Sequence, residues 1–179
     1  MTEYADDDLE FSIVVAATEG GVIGNHGRMP WRIPSDLRRF RDITTEIGVV
    51  VMGRKTYATI LQTLGHPLQD RKSIVLSRKA TGRTETLAFV SDFKGACQEA
   101  RRLGGRAAII GGGEIYRLFL PHALRVHMTT VYMDVSGDTT FPTLTGQWRC
   151  AEWESAARRD VRDEFLSSYQ VYERVSVQH

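Results

Sequence analysis

Cysteine is nearly absent. Cys97 and Cys150 are the two in 179 residues, far apart and without metal-ligand spacing. That excludes a disulfide-stapled small scaffold and a cysteine-built zinc centre. Two buried free thiols in a reducing cytoplasm are the plain reading, and nothing supports a single disulfide. Neither sign of charge prevails: 23 Lys plus Arg face 22 Asp plus Glu, for a formal net charge of +1. The basic excess that nucleic acid or an anionic membrane would require is missing. No apolar stretch reaches the roughly 18 residues that cross a bilayer, and no basic start feeds an apolar run of the signal-peptide kind. His26, His66, His122, His127 and His179 form no metal spacing, so no metal is expected. Nucleophilic Ser/His/Asp arrangements, a Walker motif and internal repeats are also lacking.

What is present suits one soluble globular domain, with 42% apolar and 25% charged residues. The one strong local bias is acidic: Glu3, Asp6, Asp7, Asp8 and Glu10 crowd the start. Residues 1–9 therefore read as a flexible acidic tail, and 10–176 as the domain.

Along the domain, continuous apolar runs mark buried strands at Phe11–Ala17, Gly48–Met52, Lys72–Leu76, Thr86–Val90 and Ala107–Ile110. Helical periodicity falls between them: from Pro34 or Ser35 with Leu37, Phe40 and Ile43 on one face, over Thr56–Leu64, over Phe93–Leu103 behind a capping Asp92, and over Glu114–Leu120. This order predicts an α/β fold with a mostly parallel sheet and helices on both faces. Arg125–Tyr132 adds a strand, and Gly137–Pro142 is a turn-rich connection. The alternating stretches Trp148–Ser155 and Phe165–Val175 read as an antiparallel C-terminal hairpin, for eight strands in all.

Chemistry concentrates in Val22–Phe40, VIGNHGRMPWRIPSDLRRF. A long loop, Thr18–Pro34, leads into a helix carrying one acid, Asp36, among Met29, Trp31, Leu37 and Phe40. Either Asp36 faces solvent or it lies buried with a raised pKa, able to grip the N–C–NH2 edge of a heterocycle. Arg38, Arg39 and Arg41 mark the solvent side and favour the inner position. Gly111-Gly112-Gly113 joins a strand to a helix, where backbone N–H groups hold a pyrophosphate or simply make a tight turn. Gly53-Arg54-Lys55-Thr56 and Ser77-Arg78-Lys79 follow parallel strands. They thus share the carboxyl edge of the sheet with the triplet, either solvated or holding the extra phosphate of NADPH.

From Phe11 to about Val175 the chain resembles dihydrofolate reductases. The likeness rests on VIGNHGRMPW with PSDLRRF (22–40), VVVMGRKTY (49–57), PLQDRKSIVLSR (67–78), AIIGGGEIYRLFLP (108–121) and SGDTTFP (136–142) in that order. The resemblance implies NADPH-dependent reduction of 7,8-dihydrofolate. Asp36 would bind the 2-amino and N3 edge of the pterin, supported by Thr129 directly or through water, with Trp31 holding the water network and Tyr116 completing the catalytic set. Val14, Val15, Leu37, Phe40, Ile60, Leu68 and Ile110 would line the substrate pocket, and Arg71 would pair with the glutamate carboxylate. Ala16, Ile23, Gly24, Met29 and Tyr116 would surround the nicotinamide. Gly111, Gly112, Gly113, Glu114 and Ile115 would carry the pyrophosphate, the first two joined by a cis peptide. Gly53, Arg54, Lys55, Thr56, Ser77 and Arg78 would hold the adenosine phosphates. A cytoplasmic monomer that antifolates inhibit completes the expectation. The turn PLQDR departs from the commoner PLPGR while keeping Arg71.

Overall fold

Residues 8–175 are described by the computed structural model of the chain. They run β1 (Glu10–Thr18), β2 (Val22–Gly24), α1 (Pro34–Ile47), β3 (Val49–Gly53), α2 (Arg54–Leu64), β4 (Lys72–Leu76) and β5 (Leu87–Val90). Then follow α3 (Phe93–Arg102), β6 (Arg106–Ile109), α4 (Gly113–Phe119), β7 (Ala123–Val131), β8 (Thr139–Thr140), β9 (Trp148–Ala157) and β10 (Ser167–Arg174). Eight strands form one sheet in the order β5-β4-β3-β6-β1-β7-β10-β9. From β5 to β7 every pair is parallel, and β10 runs antiparallel to both neighbours. The expected fold class is the observed one.

The two-residue period of the central strands explains the layers. Ile13, Val15, Val49, Val51, Ala107 and Ile109 point to one face, where Ala96, Cys97 and Ala100 of α3 and Tyr116 and Phe119 of α4 cover them. Val14, Val50, Met52, Ala108 and Ile110 point to the other, under Phe40, Ile43 and Ile47 of α1 and Tyr57 and Ile60 of α2. Ile13 and Ile109 are fully buried, so truncating either to alanine costs about 2–5 kcal/mol.

Helix ends follow local chemistry. Gly48 closes α1 at φ +83°, so it belongs to the turn and the strand starts at Val49, one residue later than the sequence suggested. Extended Gly53 caps α2, and Arg54 and Lys55 open its first turn, two residues ahead of Thr56. Asp92 caps α3 as expected, accepting from Gly95 N at 2.8 Å.

Three expectations need correction. The loop Thr18–Pro34 is not structureless: β2 within it pairs with β8, from the connection read as turns only. Two strands this short, rich in Gly and Thr, leave no periodic signal. Cys97 is buried, but Cys150 is exposed because it lies on β9, the sheet's edge strand. Finally, Asp8 and Leu9 belong with the domain. Leu9 is 4% exposed within the core, and Asp8 Oδ2 lies 2.9 Å from Arg101 Nε. The tail's other residues, 1–7, lie outside the described residues, as does residue 176.

Candidate active site

The N-terminal turn of α1 brings Asp36 under the sheet's carboxyl edge. Thr129 of β7 donates its hydroxyl to Asp36 Oδ1 at 2.6 Å, a direct link. Burial pushes the Asp36 carboxyl above its ordinary range; the Thr129 hydroxyl and the Arg39 guanidinium oppose that shift, and Asp163 adds to it. Asp36 therefore faces inward. Arg39 is itself held outside, its guanidinium 4.0 Å above the Tyr169 ring and 2.7 Å from Glu154 Oε2. Met29, Trp31, Arg32, Ile33 and Leu37 enclose with Asp36 a recess of about 50 Å³, room for a water. Trp31 is buried, and among the described residues its Nε1 has no acceptor. Met29 and Leu37 are half exposed, at 50% and 47%, large apolar groups left open beside a half-buried acid.

The floor is built from β1 and the end of β6. Val14 and Ile110 share one cluster with Phe40, Ile60 and Leu68, which brings these substrate candidates together on the α1–α2 side. Val15 is the exception. Its side chain joins the cluster under α3 and α4, because alternation along β1 sends it to the opposite face, so only its main chain can serve the pocket. Tyr116 donates its hydroxyl to the Val14 carbonyl at 2.8 Å. Burial pushes that phenol well above its usual range, and it stays a protonated donor. Ala16 lies beside Thr129 in the β1–β7 register.

Arg71 marks the far end of the pocket. Its Nη1 donates to Thr44 Oγ1 at 2.9 Å and its Nε to the Gln69 carbonyl at 2.8 Å. Thr44 in turn donates to the Phe40 carbonyl within α1 at 2.7 Å. Asp36 and Thr44 are eight residues apart on one helix, about 12 Å along its axis. The helix thus works as a ruler between an acid and a guanidinium.

The basic loops and the glycine triplet meet at one edge. Gly53 pairs with Leu76 across β3 and β4, which places Arg54, Lys55 and Thr56 beside Ser77 and Arg78. Gly53 N donates to the Gly111 carbonyl at 2.9 Å. The Gly111–Gly112 peptide is cis, and Gly111 sits at φ +115°. A Cβ on Gly113 would stand 2.9 Å from Thr139 Cγ2 and Gly111 holds a positive φ, so this strip of bare backbone favours glycine at these two positions, whereas a Cβ on Gly112 would meet Thr56 Oγ1 at an ordinary 3.6 Å. Glu114 is exposed and Ile115 packs against the core behind the strip. Ile23 and Gly24 arrive from β2. Ser77 Oγ accepts from the amides of Lys79 and Ala80 at 3.2 and 2.8 Å, and so fixes the turn carrying Arg78. Ser77 and Arg78 open onto a cavity of about 510 Å³ that Arg83, Phe89, Glu99 and Arg102 also line. Arg83 and Arg102 were not anticipated. Both grip Glu99, at 2.5 and 2.6 Å, and that carboxylate is 3% exposed. The available signal was an acid on the apolar face of α3, between Ala96 and Ala100.

The dihydrofolate reductase family model matches residues 10–174. The chain is 38% identical over 146 residues to the dihydrofolate reductase of Haemophilus influenzae, which covers 82% of this chain and 84% of that protein. It is 33% identical over 168 residues to the type A13 dihydrofolate reductase of Escherichia coli, at 94% and 96% coverage. A solved structure of Enterococcus faecalis dihydrofolate reductase, complexed with NADP(H) and RAB-propyl, superposes with a TM-score of 0.80 at 26% identity, covering 93% of this chain and 97% of that one.

Proposed function

The chain belongs to the dihydrofolate reductase family and reduces dihydrofolate to tetrahydrofolate with NADPH; we propose that Asp36, Thr129, Trp31 and Tyr116 are the groups that prepare the substrate for that step. The observation that carries this assignment is the placement of a half-buried acid, Asp36, and a half-buried arginine, Arg71, anchored on Thr44, at the two ends of one helical segment. Dihydrofolate has the matching ends, an N–C–NH2 edge on the pterin and a carboxylate on the glutamate tail.

In this reading Asp36 accepts hydrogen bonds from the 2-amino group and N3, with Thr129 fixing which carboxylate oxygen faces the ring. Leu37, Phe40, Ile60 and Leu68 hold the pteridine and aminobenzoyl rings, and the main chains of Val14, Val15 and Ile110 form the inner end. Arg71 pairs with the α-carboxylate. Trp31 Nε1 holds a water near Asp36. Asp36 acts by orientation and charge, and a water delivers the proton to N5.

The glycine strip, with its bare backbone at 111–113 and the basic side chains beside it, fits a dinucleotide. NADPH, when bound, supplies the hydride that C6 receives. Gly111, Gly112, Gly113, Glu114 and Ile115 would carry its pyrophosphate, and Gly53, Arg54, Lys55, Thr56, Ser77 and Arg78 would hold the adenosine end. Ala16, Ile23, Gly24, Met29 and Tyr116 would enclose the reacting ring and exclude bulk water. Antifolates that carry the same amino-heterocycle edge compete for Asp36. The protein works as a cytoplasmic monomer, and no helix among the described residues is long and apolar enough to cross a membrane.

A related reductase acting on another pterin or on a ribosylaminopyrimidine would keep the glycines and basic loops, yet has no use for the Asp36–Arg71 spacing. The test is NADPH oxidation with dihydrofolate by wild type and Asp36→Asn across pH. A fall of about 10²–10³-fold in the variant at neutral pH, eased in acid where the substrate arrives protonated, supports the assignment. Equal turnover in both proteins would remove Asp36 from the site.

A further inference from the structure

The first turn of α1 lacks a cap of its own. Its N-cap residue, Ile33, offers no side-chain hydrogen bond, although helix starts ordinarily have their free amides satisfied. The missing acceptor comes from the turn between β9 and β10. Asp163 Oδ1 accepts from Ser35 N at 3.0 Å, and Asp163 Oδ2 accepts from Ser35 Oγ at 2.6 Å. Oδ2 also accepts from the amides of Arg159 and Asp160, both at 3.0 Å. The carboxylate is 3% exposed. One buried side chain thus closes its own turn and holds the residue next to Asp36.

More contacts from the same turn brace the chain on either side. Arg32 N donates to Glu164 Oε2 at 3.0 Å, and Glu164 N donates to the Arg32 carbonyl at 3.1 Å. Arg38 Nη1 lies 2.7 Å from Asp160 Oδ2. Residues 32, 35 and 38 are all fixed to one element, and Asp36 sits within that span. A rigid turn 128 residues away in sequence from Ser35 therefore sets where the acid stands.

We infer that Asp163 is a positioning residue for catalysis, which holds Asp36 in its productive place by capping α1 through Ser35. The inference rests on Asp36 being the group that binds dihydrofolate. Misplacement by about 1 Å is enough to lower a rate by two orders of magnitude, so a cap one residue from the acid has leverage that a distant ion pair lacks. Asp163 also faces Asp36 as a like charge. Around Asp36 the other ionisable groups are Arg32, which lines the same recess, Arg39 on its own helix, Tyr116 of α4 and Tyr169 of β10. Around Asp163 they are Asp160 and Arg162 of its turn, with Arg159 turned away to the carbonyls of Ser155 and Ser167.

Two variants separate the brace from the folding of the turn. Ser35→Ala removes one bond on the α1 side and leaves the Asp163 bonds to Arg159 and Asp160. Asp163→Asn keeps an oxygen for those two amides and turns an N–H against Ser35 N. Each should lower kcat/KM for dihydrofolate by about ten- to a hundredfold, with NADPH affinity within about twofold of wild type, and Ser35→Thr should keep most of the activity. The Asp36 carboxyl, followed by carbon NMR, should titrate at lower pH in both variants: Asp163→Asn removes a like charge, and Ser35→Ala lets the first turn relax toward solvent. Wild-type kcat/KM with an unmoved Asp36 titration would overturn the inference, whatever happens to Tm. So would equal losses of dihydrofolate and NADPH binding, the mark of general unfolding. If the wild type itself does not turn over dihydrofolate, the functional reading fails; the Asp36 titration then decides whether Asp163 sets its place.

Discussion

Thr129 and Asp36 share a 2.6 Å hydrogen bond in which the hydroxyl donates to the carboxylate, and this bond opposes the burial that raises the Asp36 pKa. The two residues are 93 positions apart, joined only because β7 lies beside β1 and α1 packs across β1. Removing the donor leaves desolvation less opposed. In Thr129→Val the acid should therefore ionise at higher pH than in wild type, and a smaller share of it should be charged near neutrality. We expect about a tenfold loss of kcat/KM at neutral pH, on the scale of one charged hydrogen bond, with the pH midpoint of the rate moved upward. An unmoved midpoint would mean that the hydroxyl has no part in holding the charge.

Asp36→Asn should trade activity for stability. The folded protein raises the Asp36 pKa above its ordinary value of 3.8, so the native state binds this proton more tightly than the unfolded chain does. Stability from the protonated form is complete below 3.8 and is lost as pH rises through the folded value; at neutral pH the buried charge is a net cost. Asparagine keeps an oxygen for Thr129 and carries no charge. The variant should unfold at higher temperature than wild type at neutral pH, by about 2–4 °C for each kcal/mol regained. The gap should close in acid. Thermal scans across pH check both parts.

Arg71→Leu should act on binding more than on the chemical step. The guanidinium is anchored on Thr44 and Gln69, and burial with nearby Arg41 lowers its pKa from a very high starting point, leaving it charged. Loss of a charged hydrogen bond of about 1.5–3 kcal/mol corresponds to roughly 10–150-fold in affinity. The loss should fall on KM for dihydrofolate, with kcat little changed. A dihydropterin without the glutamate tail should be reduced equally by both proteins.

Much of this was legible before any coordinates. Continuous apolar character in GVVVM and FSIVVAAT marks strands covered on both faces, and the basic loops after β3 and β4 fall on one edge because parallel strands put them there. Asp36 stands out as the one acid among apolar residues, with Arg38 and Arg41 on the solvent side; Arg39, three residues on, lies on the acid's own side and acts on it. What stayed hidden depends on contacts without a local pattern. Val14 and Val15 are both apolar and adjacent in the sequence; only the strand's pleat sends their side chains to opposite faces. Asp163 reads as one more acid in a charged turn, since nothing in its own neighbourhood records that Ser35 lies against it. β2 and β8 are too short to show a period, and each is a strand only through the other.

Gly137→Ala tests that small β2–β8 pair. A Cβ on Gly137 would be driven into the Gly24 carbonyl oxygen and Val22 Cγ1, and the first of these is backbone that cannot turn aside. Relief requires β2 to move away from β8, which strains the bond from His26 N to Asp138 Oδ2 at 2.9 Å and that from Phe141 N to the Gly21 carbonyl at 2.8 Å. Ile23 and Gly24, assigned to the nicotinamide, travel with β2. Overpacking of this kind costs about 1–3 kcal/mol. Folding should survive, with a lower Tm, and the hydride step should slow by about tenfold or more as the ring loses its enclosure. Arg71 and its anchors are remote from the change, so KM for dihydrofolate should move less than kcat. Gly146→Ala is the control: a Cβ there meets nothing within 4 Å, and both stability and turnover should match wild type. Single-turnover hydride transfer measured on the three proteins would show whether β2 holds the cofactor side of the site in place, and a Gly137→Ala rate equal to that of Gly146→Ala would place β2 outside it.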